Sequence, residues 1–384
     1  MYKKMFLVLP LIIFLMQACN VSPEQKPVPL SAVIAAADLK VTNLHEAITQ
    51  NTPPIALSPD GQWLFASDSE MACILKAKTL TKQYCTNWYG GATAANASWS
   101  PDGKHIAFSE NVQLYMLDGD IWVMDTEPGK IKDLTDDGVT GSALNSQEFL
   151  DTSPAYSPDG KILIFARTEG QDTRTTSIYR IQNNGAPEKL VTVDDYPLSL
   201  YWRMAWSGDG KKIFYTLIGP KLDAPENGVW VVGSNGQNPQ HLLGVSQMQG
   251  IPILLGVTPK ADKALILYVA NWIPGEKSLT LLDLNTGVSE AVILAKPQNG
   301  ETLSPIAATF SPDGSKILYI YNSSDGKQQV AVRDVSGDQE YILFSPEKPF
   351  GTRGSQPMEL DWSSNDTIFA STLPNTGTLF DIGK

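Results

Sequence analysis

Residues 99–109 read WSPDGKHIAFS, and variants of this stretch recur along the chain. Four copies keep most of its wording: LSPDGQWLFAS from Leu57, YSPDGKILIFA from Tyr156, WSGDGKKIFYT from Trp206 and FSPDGSKILYI from Phe310. Two weaker copies, VTPKADKALILYV from Val257 and WSSNDTIFAS from Trp362, keep the same frame. The hydroxyl residues of successive copies lie 42 to 57 residues apart, so the chain contains seven repeats.

Each copy predicts a β-hairpin. In the first stretch, Trp99 ends one strand, Asp102 and Gly103 make a tight turn, and an alternating run from Lys104 begins the partner strand. Glycine suits such a turn because it tolerates a positive φ angle. Pro101 marks the strand end because it has no N–H to donate to a ladder. The recurring aspartate is explained by turn geometry, since its side chain accepts hydrogen bonds from the local backbone.

A second pair of strand-like runs follows each hairpin, as residues 121–125 and 131–135 do after the second copy. Four antiparallel strands in about 40–50 residues are typical of a propeller blade, because one small sheet cannot bury both faces without neighbours. The aromatic residue that precedes the hydroxyl residue is expected to pack between blades. We therefore predict an all-β fold, a seven-bladed β-propeller of four-stranded antiparallel blades.

The last repeat lacks a strand that the first residues of the domain can supply. Residues 360–362, 367–371 and 378–382 predict three strands, and the chain then ends. Residues 39–44, LKVTNL, precede the first copy as a fourth strand precedes the later ones. We predict that this N-terminal strand completes the last blade and closes the ring, which removes exposed strand edges.

The first residues have the layout of a secretory signal. Lys3 and Lys4 are followed by an apolar run at residues 5–16, which is too short for the roughly 20 residues of a membrane span. Residues 15–19, LMQAC, resemble a bacterial lipoprotein signal, in which the cysteine is acylated. We predict lipidation at Cys19; the alternative is an ordinary signal peptide with an incidental cysteine.

The predicted organisation has three parts: a lipoprotein-type signal peptide at residues 1–18, a tether at residues 19–38, and a single seven-bladed propeller domain at residues 39–384. The protein is then exported and held on a membrane by its lipid anchor, facing the periplasm, with the outer membrane as the expected location.

The cysteines inside the domain flank a predicted hairpin. Cys73 and Cys85 each lie six residues from Thr79, the centre of the turn, so they would face each other across two antiparallel strands. Opposed residues are close enough for a disulfide, which an oxidising compartment favours. The alternative is a pair of buried, small apolar side chains.

The inventory of catalytic residues is short. Only three histidines exist, His45, His105 and His241, and they lie in different repeats. His45 and Glu46 begin an HExxH motif, but Thr49 stands where its second histidine belongs, and no G-x-S-x-G motif occurs. We predict no catalytic residues, no cofactor and no metal centre. The sequence leaves open whether the central channel holds a structural cation.

Partners are expected on one rim of the ring. The short Asp-Gly turns fall on one rim and the long connections on the other, which we call the long-loop rim. Aromatic and arginine anchors there, with acids, give the candidate partner-binding residues Phe149, Asp194, Asp195, Tyr196, Trp202, Arg203, Trp272 and Arg353. Asp136, Asp137, Glu148 and Asp151, with Asp194 and Asp195, give this rim acidic character, which favours a cation or a basic segment of a partner.

The net charge of −12, from 29 basic and 41 acidic residues, disfavours nucleic acid as a partner. The wording SPDGKxIAF, followed by DIWVMD and a KDLT-like strand, closely resembles the TolB-like (WD-type) propeller repeat over residues 39–384. The resemblance implies a non-catalytic cell-envelope lipoprotein, a monomeric propeller that binds a protein, peptide or cell-wall partner through the long-loop rim. By analogy, that partner is a peptidoglycan-associated lipoprotein.

Two other functions stay open. One is a secreted propeller enzyme, a glycan lyase or hydrolase that uses carboxylates of the central channel as acid and base. The other is an accessory subunit of a secreted assembly.

Overall fold

The computed structural model describes most of the chain, in these ranges: residues 34–48, 54–68, 70–88, 94–110, 119–138, 149–169, 175–182, 185–194, 204–219, 221–245, 250–269, 278–292, 303–323, 325–347, 349–350, 359–372 and 376–384. Seven four-stranded antiparallel sheets form within these residues, and each contacts the next to make a closed ring. The predicted all-β, seven-bladed propeller is therefore confirmed.

The first strand, β1 (Lys40–Ile48), belongs to the last blade. Blade 1 contains β2 (Pro54–Leu57), β3 (Trp63–Ser67), β4 (Met71–Lys76) and β5 (Lys82–Asn87). Blade 2 contains β6 (Ala94–Trp99), β7 (His105–Glu110), β8 (Ile121–Asp125) and β9 (Ile131–Asp133). Blade 3 contains β10 (Phe149–Tyr156), β11 (Ile162–Glu169), β12 (Thr175–Gln182) and β13 (Glu188–Asp194).

Blade 4 contains β14 (Ala205–Trp206), β15 (Lys212–Leu217), β16 (Gly228–Gly233) and β17 (Gln240–Gly244). Blade 5 contains β18 (Ile251–Val257), β19 (Lys263–Val269), β20 (Ser278–Asp283) and β21 (Ser289–Ala291). Blade 6 contains β22 (Ser304–Phe310), β23 (Lys316–Asn322), β24 (Gln328–Asp334) and β25 (Tyr341–Phe344). Blade 7 contains β26 (Leu360–Trp362), β27 (Thr367–Thr372), β28 (Thr376–Gly383) and β1.

The repeated turn is held by its own hydroxyl residue. Ser100 is 2% exposed; its Oγ donates to Asp102 Oδ1 at 2.7 Å and accepts the N–H of His105 at 2.9 Å. Gly103 has a φ of 68°, in the left-handed region that glycine enters without strain. The same serine-to-aspartate hydrogen bond recurs at Ser58–Asp60, Ser157–Asp159, Ser207–Asp209 and Ser311–Asp313. The structural explanation of the turn aspartates is confirmed.

Adjacent blades are joined by the aromatic residue that precedes that serine. Trp99 donates from Nε1 to the carbonyl oxygen of Ala56 in blade 1 at 3.3 Å, and Trp206 donates to that of Ala155 in blade 3 at 3.2 Å. Hydrophobic clusters fill the space between sheets, so that each blade buries what its neighbour leaves uncovered.

The ring closes as predicted, with a longer strand than residues 39–44. β1 pairs antiparallel with β28 from Lys40 opposite Gly383 to Ile48 opposite Thr376. Ile34 and Ala36, which lie in the predicted tether, are also buried against blades 6 and 7, beside a short 3₁₀ turn at Ala36–Asp38. Among the described residues, no helix is both long and apolar enough to cross a membrane.

Cys73 in β4 and Cys85 in β5 are opposed in register and joined by a disulfide, with their Cα atoms 4.1 Å apart. The disulfide expected from the hairpin spacing is therefore present. In blade 5 a tight turn after β20, in which the N–H of Asp283 bonds to the carbonyl oxygen of Val288, leads into the fourth strand, Ser289–Ala291.

Candidate functional site: an acidic cluster between blades 2 and 3

Five aspartates meet on the long-loop rim, where blades 2 and 3 touch. Asp120 immediately precedes β8, Asp133 ends β9, Asp136 and Asp137 follow it, and Asp151 lies in β10. We call these five residues the acidic cluster. Thr135 hydrogen-bonds to both Asp120 and Asp133, and a backbone bridge from Gly119 to Leu150 brings Asp151 beside them. Burial and the charges of Asp151, Asp137 and Asp136 raise the pKa of Asp120.

The backbone holds the two blades together at this point. Gly119 forms a parallel bridge with Leu150, and the N–H of Asp151 donates to the carbonyl oxygen of Gly119 at 2.7 Å. These contacts set the start of β8 beside the start of β10. Asp120 and Asp151 are thereby brought together although 30 residues separate them in the chain.

Thr135 organises the inner part of the cluster. Its Oγ1 donates to Asp120 Oδ1 at 3.0 Å and accepts the N–H of Ile121 at 2.9 Å. Its N–H donates to Asp133 Oδ1 at 3.1 Å. One buried threonine therefore orients two of the carboxyl groups, and it leaves the second oxygen of each unused.

Those two remaining oxygens have no partner. Asp120 Oδ2 and Asp133 Oδ2 are buried atoms that accept no hydrogen bond from the described part of the chain. The whole Asp120 residue is only 2% exposed. A buried polar atom without a partner is unusual in a folded protein, and it is a reason to look for a ligand.

The ionisation of the cluster reflects this lack of compensation. Burial raises the pKa of Asp120 to about 6, and the charges of Asp151, Asp137 and Asp136 act in the same direction against the hydrogen bond from Thr135. Burial and the charge of Asp120 raise the pKa of Asp133 to about 8. At neutral pH Asp133 therefore holds a proton, whereas most Asp120 carboxyls are ionised.

The nearest cation already has a partner. Arg167 in β11 donates from Nε to Asp151 Oδ1 at 2.7 Å and from Nη2 to Asp151 Oδ2 at 2.5 Å, and neither residue is more than 7% exposed. Phe149, predicted as a partner-binding residue, lies with its ring centroid 4.2 Å from the guanidinium carbon. Although burial disfavours the charge of Arg167, its bonds to Asp151 keep the pKa of the guanidinium above its ordinary value.

The other charges at this end of blade 3 are neutralised locally. Glu169 accepts the hydroxyl of Tyr179 at 3.1 Å and also contacts the Lys189 ammonium group. Lys189 pairs with Glu169 and Arg167 with Asp151, so the ion pairs of the described residues leave Asp120 and Asp133 without a cation. Within the described ranges, no three His, Cys, Asp or Glu side chains are arranged to hold a metal ion.

Away from the acidic cluster, a cavity of about 360 Å³ lies on the axis of the ring and is lined by residues at the first strand of each blade. Its polar lining includes Asn96, Ser98, Ser153 and Thr309. Asp361 is the one carboxylate among its described lining residues, and its Oδ2 accepts the N–H of Leu57 at 2.9 Å. The described lining therefore offers no pair of carboxylates for acid and base catalysis.

The predicted site residues are only partly brought together. Phe149 and Asp151 join the cluster region, and Asp194 ends β13 opposite Thr176. The remaining ones lie outside the described residues, as does the predicted lipidation site: Asp195, Tyr196, Trp202, Arg203, Trp272, Arg353 and Cys19. Asp120, Asp133 and Arg167 were not predicted, since no motif distinguishes them in the sequence.

Comparison with known proteins agrees with the fold. Residues 71–200 match the family described as the dipeptidyl peptidase IV (DPP IV) N-terminal region, which covers less than half of the chain. No curated protein matches the sequence.

Three solved structures illustrate the similarity. The oligogalacturonate lyase of Vibrio parahaemolyticus has a TM-score of 0.58 at 12% identity, over 90% of this chain and 98% of that one. Hydrazine synthase of Kuenenia stuttgartiensis has a TM-score of 0.59 at 15% identity, over 86% of this chain and 96% of that one. TolB of Acinetobacter baumannii has a TM-score of 0.47 at 14% identity, over 78% of this chain and 66% of that one.

At these identities the likeness concerns the fold. The protein is a seven-bladed β-propeller with TolB structures among its structural neighbours, and it spans about two thirds of the Acinetobacter TolB chain.

Proposed function

We propose that this protein is a non-catalytic binding propeller that engages a positively charged partner at the acidic cluster on its long-loop rim. The observation that carries the proposal is that Asp151 accepts two hydrogen bonds from Arg167, while the buried Oδ2 atoms of Asp120 and Asp133 have no donor among the described residues. Uncompensated carboxylates at a surface attract basic groups and disfavour acidic ones.

The experiment is capture of partners from envelope extracts by the immobilised protein. Asp136 is exposed, so Asp136→Lys reverses the charge at the edge of the cluster and removes one surface hydrogen bond, from the Gly138 N–H. We expect this variant to lose the captured partner. Asp338→Lys is the control, because Asp338 is equally an exposed acid but lies in the turn between β24 and β25 on the other rim. Equal capture by wild type and both variants would contradict the proposal.

The proposal includes the location. The lysine-rich start, the apolar run and the LMQAC segment support export and anchoring through Cys19, with the propeller facing the periplasm from the outer membrane. The partner is then an envelope protein, peptide or cell-wall component, and by analogy with TolB-like repeats a peptidoglycan-associated lipoprotein. Incorporation of a labelled fatty acid into wild type, and its loss in Cys19→Ser, tests the anchor.

The alternative is a secreted glycan lyase or hydrolase. The fold is shared with an oligogalacturonate lyase, which supports only that such a ring can carry this chemistry. The central cavity argues against the alternative, because Asp361 is the one carboxylate of its described lining and it already accepts a backbone N–H. Turnover of a glycan from a panel that includes oligogalacturonate, lost in Asp361→Asn, would favour the enzyme.

A further inference from the structure

We propose that the acidic cluster is a socket for one arginine side chain of the partner, with Asp120 as its innermost acceptor. This inference rests on the proposed function and adds the chemical identity of the group that is recognised.

The free acceptors lie at the bottom of the cluster. Asp120 is 2% exposed, and its Oδ2 is without a hydrogen-bond donor among the described residues, whereas its Oδ1 is held by Thr135. Asp133 Oδ2 is also buried without a donor among the described residues, and Asp133 Oδ1 accepts the N–H of Thr135. Two buried oxygens are therefore oriented by the protein but left unsatisfied, which is the arrangement expected of acceptors whose donor comes from another molecule.

Exposure increases from these acceptors toward solvent. Asp120 and Asp151 are buried, Asp133 and Asp137 are half-buried, and Asp136 is exposed. The carboxyl groups thus form a series that leads from the surface to the interior. Such a series suits a long side chain with a charge at its end, whose stem lies along Asp136 and Asp137. Because the two acceptor oxygens are fully buried, the cluster has to open slightly for the charged head to reach them.

The arrangement favours an organic cation over a metal ion. A metal ion needs several ligands that converge on one point, and no three acidic, histidine or cysteine side chains of the described ranges do so. The free oxygens instead belong to separate residues on different segments, before β8 and at the end of β9. A guanidinium group has five donors that fan out in a plane, so one group can serve several separate acceptors.

Arginine is favoured over lysine for two reasons. A guanidinium is more weakly hydrated than an ammonium group, so that its burial costs less. The molecule also binds a guanidinium in this way next to the socket, since Arg167 is held by both oxygens of Asp151 under the Phe149 ring. The same chemistry is therefore available to a second guanidinium only a short distance away.

The test uses labelled tetra-arginine, tetra-lysine and tetra-citrulline peptides as probes, with fluorescence anisotropy at low salt. We expect wild type to bind tetra-arginine several-fold more tightly than tetra-lysine and to bind tetra-citrulline, which is uncharged, not at all. Asp120→Asn keeps the shape of the side chain, and it should weaken tetra-arginine binding about ten-fold because the innermost charge is lost. Glu347→Gln, which removes an exposed acid after β25, is the matched control and should bind like wild type.

Asp133→Asn provides a second measurement should Asp120→Asn fail to fold; at pH 9, above the pKa of about 8 at which Asp133 loses its proton, it should also weaken tetra-arginine binding. Equal affinity of tetra-arginine and tetra-lysine, or unchanged binding in both asparagine variants, would overturn the socket. The two proposals fail separately. If Asp136→Lys abolishes capture of the envelope partner while Asp120→Asn captures it normally, the binding function stands and the arginine socket is wrong.

Discussion

Arg167 and Asp151 form a buried, bidentate ion pair, in which Nε and Nη2 of the guanidinium each donate to one oxygen of the carboxylate, at 2.7 and 2.5 Å. The pair spans β10 and β11 within blade 3, and it places one aspartate of the acidic cluster in permanent contact with a cation. Asp120 and Asp133, by contrast, each keep one buried oxygen without a hydrogen-bond donor among the described residues. The cluster therefore contains one carboxylate neutralised by an arginine and two carboxyl groups that have no cation among the described residues.

Replacing only the arginine should be strongly destabilising. Arg167→Met leaves Asp151 buried without its cation, and loss of one partner of a buried ion pair costs about 3–5 kcal/mol of the free energy of unfolding. The double variant Arg167→Met with Asp151→Asn removes both charges and should recover most of that loss. Urea unfolding of the two variants measures the difference, and a single variant as stable as the double one would contradict the prediction.

Asp133→Asn should stabilise the protein more at pH 8 than at pH 5. The pKa of Asp133 is raised to about 8 in the folded protein, whereas in the unfolded chain it is near its ordinary value of 3.8. The folded state therefore binds more protons between these values, and stability falls as the pH rises from about 4 to about 8.

The asparagine variant cannot ionise at this position, so it does not lose stability in this way as the pH rises. Its gain in the free energy of unfolding should grow by roughly 1–2 kcal/mol between pH 5 and pH 8, because solvent screens part of the full effect. Thermal unfolding at both pH values measures the gain, and Asp338→Asn is the exposed control. A gain that shrinks toward pH 8 would show that the carboxyl is not protonated in the native state.

Ser100→Ala should destabilise blade 2 through its turn. The hydroxyl donates to Asp102 and accepts the His105 N–H. Against the effect of partial burial, hydrogen bonds from the Ser100 hydroxyl and the Lys104 N–H keep the pKa of Asp102 below its ordinary value. Loss of a buried hydroxyl that uses both roles costs roughly 1–2 kcal/mol.

Ser323→Ala is the matched control for this turn. Ser323 makes the same bond to Asp325 at 2.5 Å, but in an exposed loop between β23 and β24, so water can replace the hydroxyl. Chemical denaturation should show a clearly smaller loss for this variant. Similar losses at the two serines would mean that burial does not set the cost.

Removal of β1 should open the ring. A chain that begins at residue 49 lacks the strand that pairs with β28 from Lys40 to Ile48, so β28 becomes an exposed edge. We expect a lower melting temperature, a broader transition and more aggregation than in a chain that begins at residue 34. Coincident melting curves for the two chains would show that closure does not depend on this strand.

The sequence by itself determined the architecture, because the evidence for it is local. Ser100, Asp102 and Gly103 specify a hairpin within a few residues of each other, and the repetition of that hairpin specifies the number of blades. The pairing of Cys73 with Cys85 follows from the same kind of local register. Closure by the N-terminal strand could also be predicted, since the last repeat lacks one strand.

Only the tertiary structure decided where the acidic cluster lies and that Oδ2 of Asp120 and Oδ2 of Asp133 are buried without a donor in the described part of the chain. Asp120 and Asp151 belong to different blades, and nothing in the residues around them indicates that Gly119 pairs with Leu150. The left-handed backbone of Asn96 and Ser153, within β6 and β10, likewise could not be predicted from the sequence, because glycine is the residue that usually adopts this conformation. Hairpins are set by neighbours in the chain, whereas contacts between blades depend on how whole sheets pack, and that packing also sets which carboxyl groups lose their water.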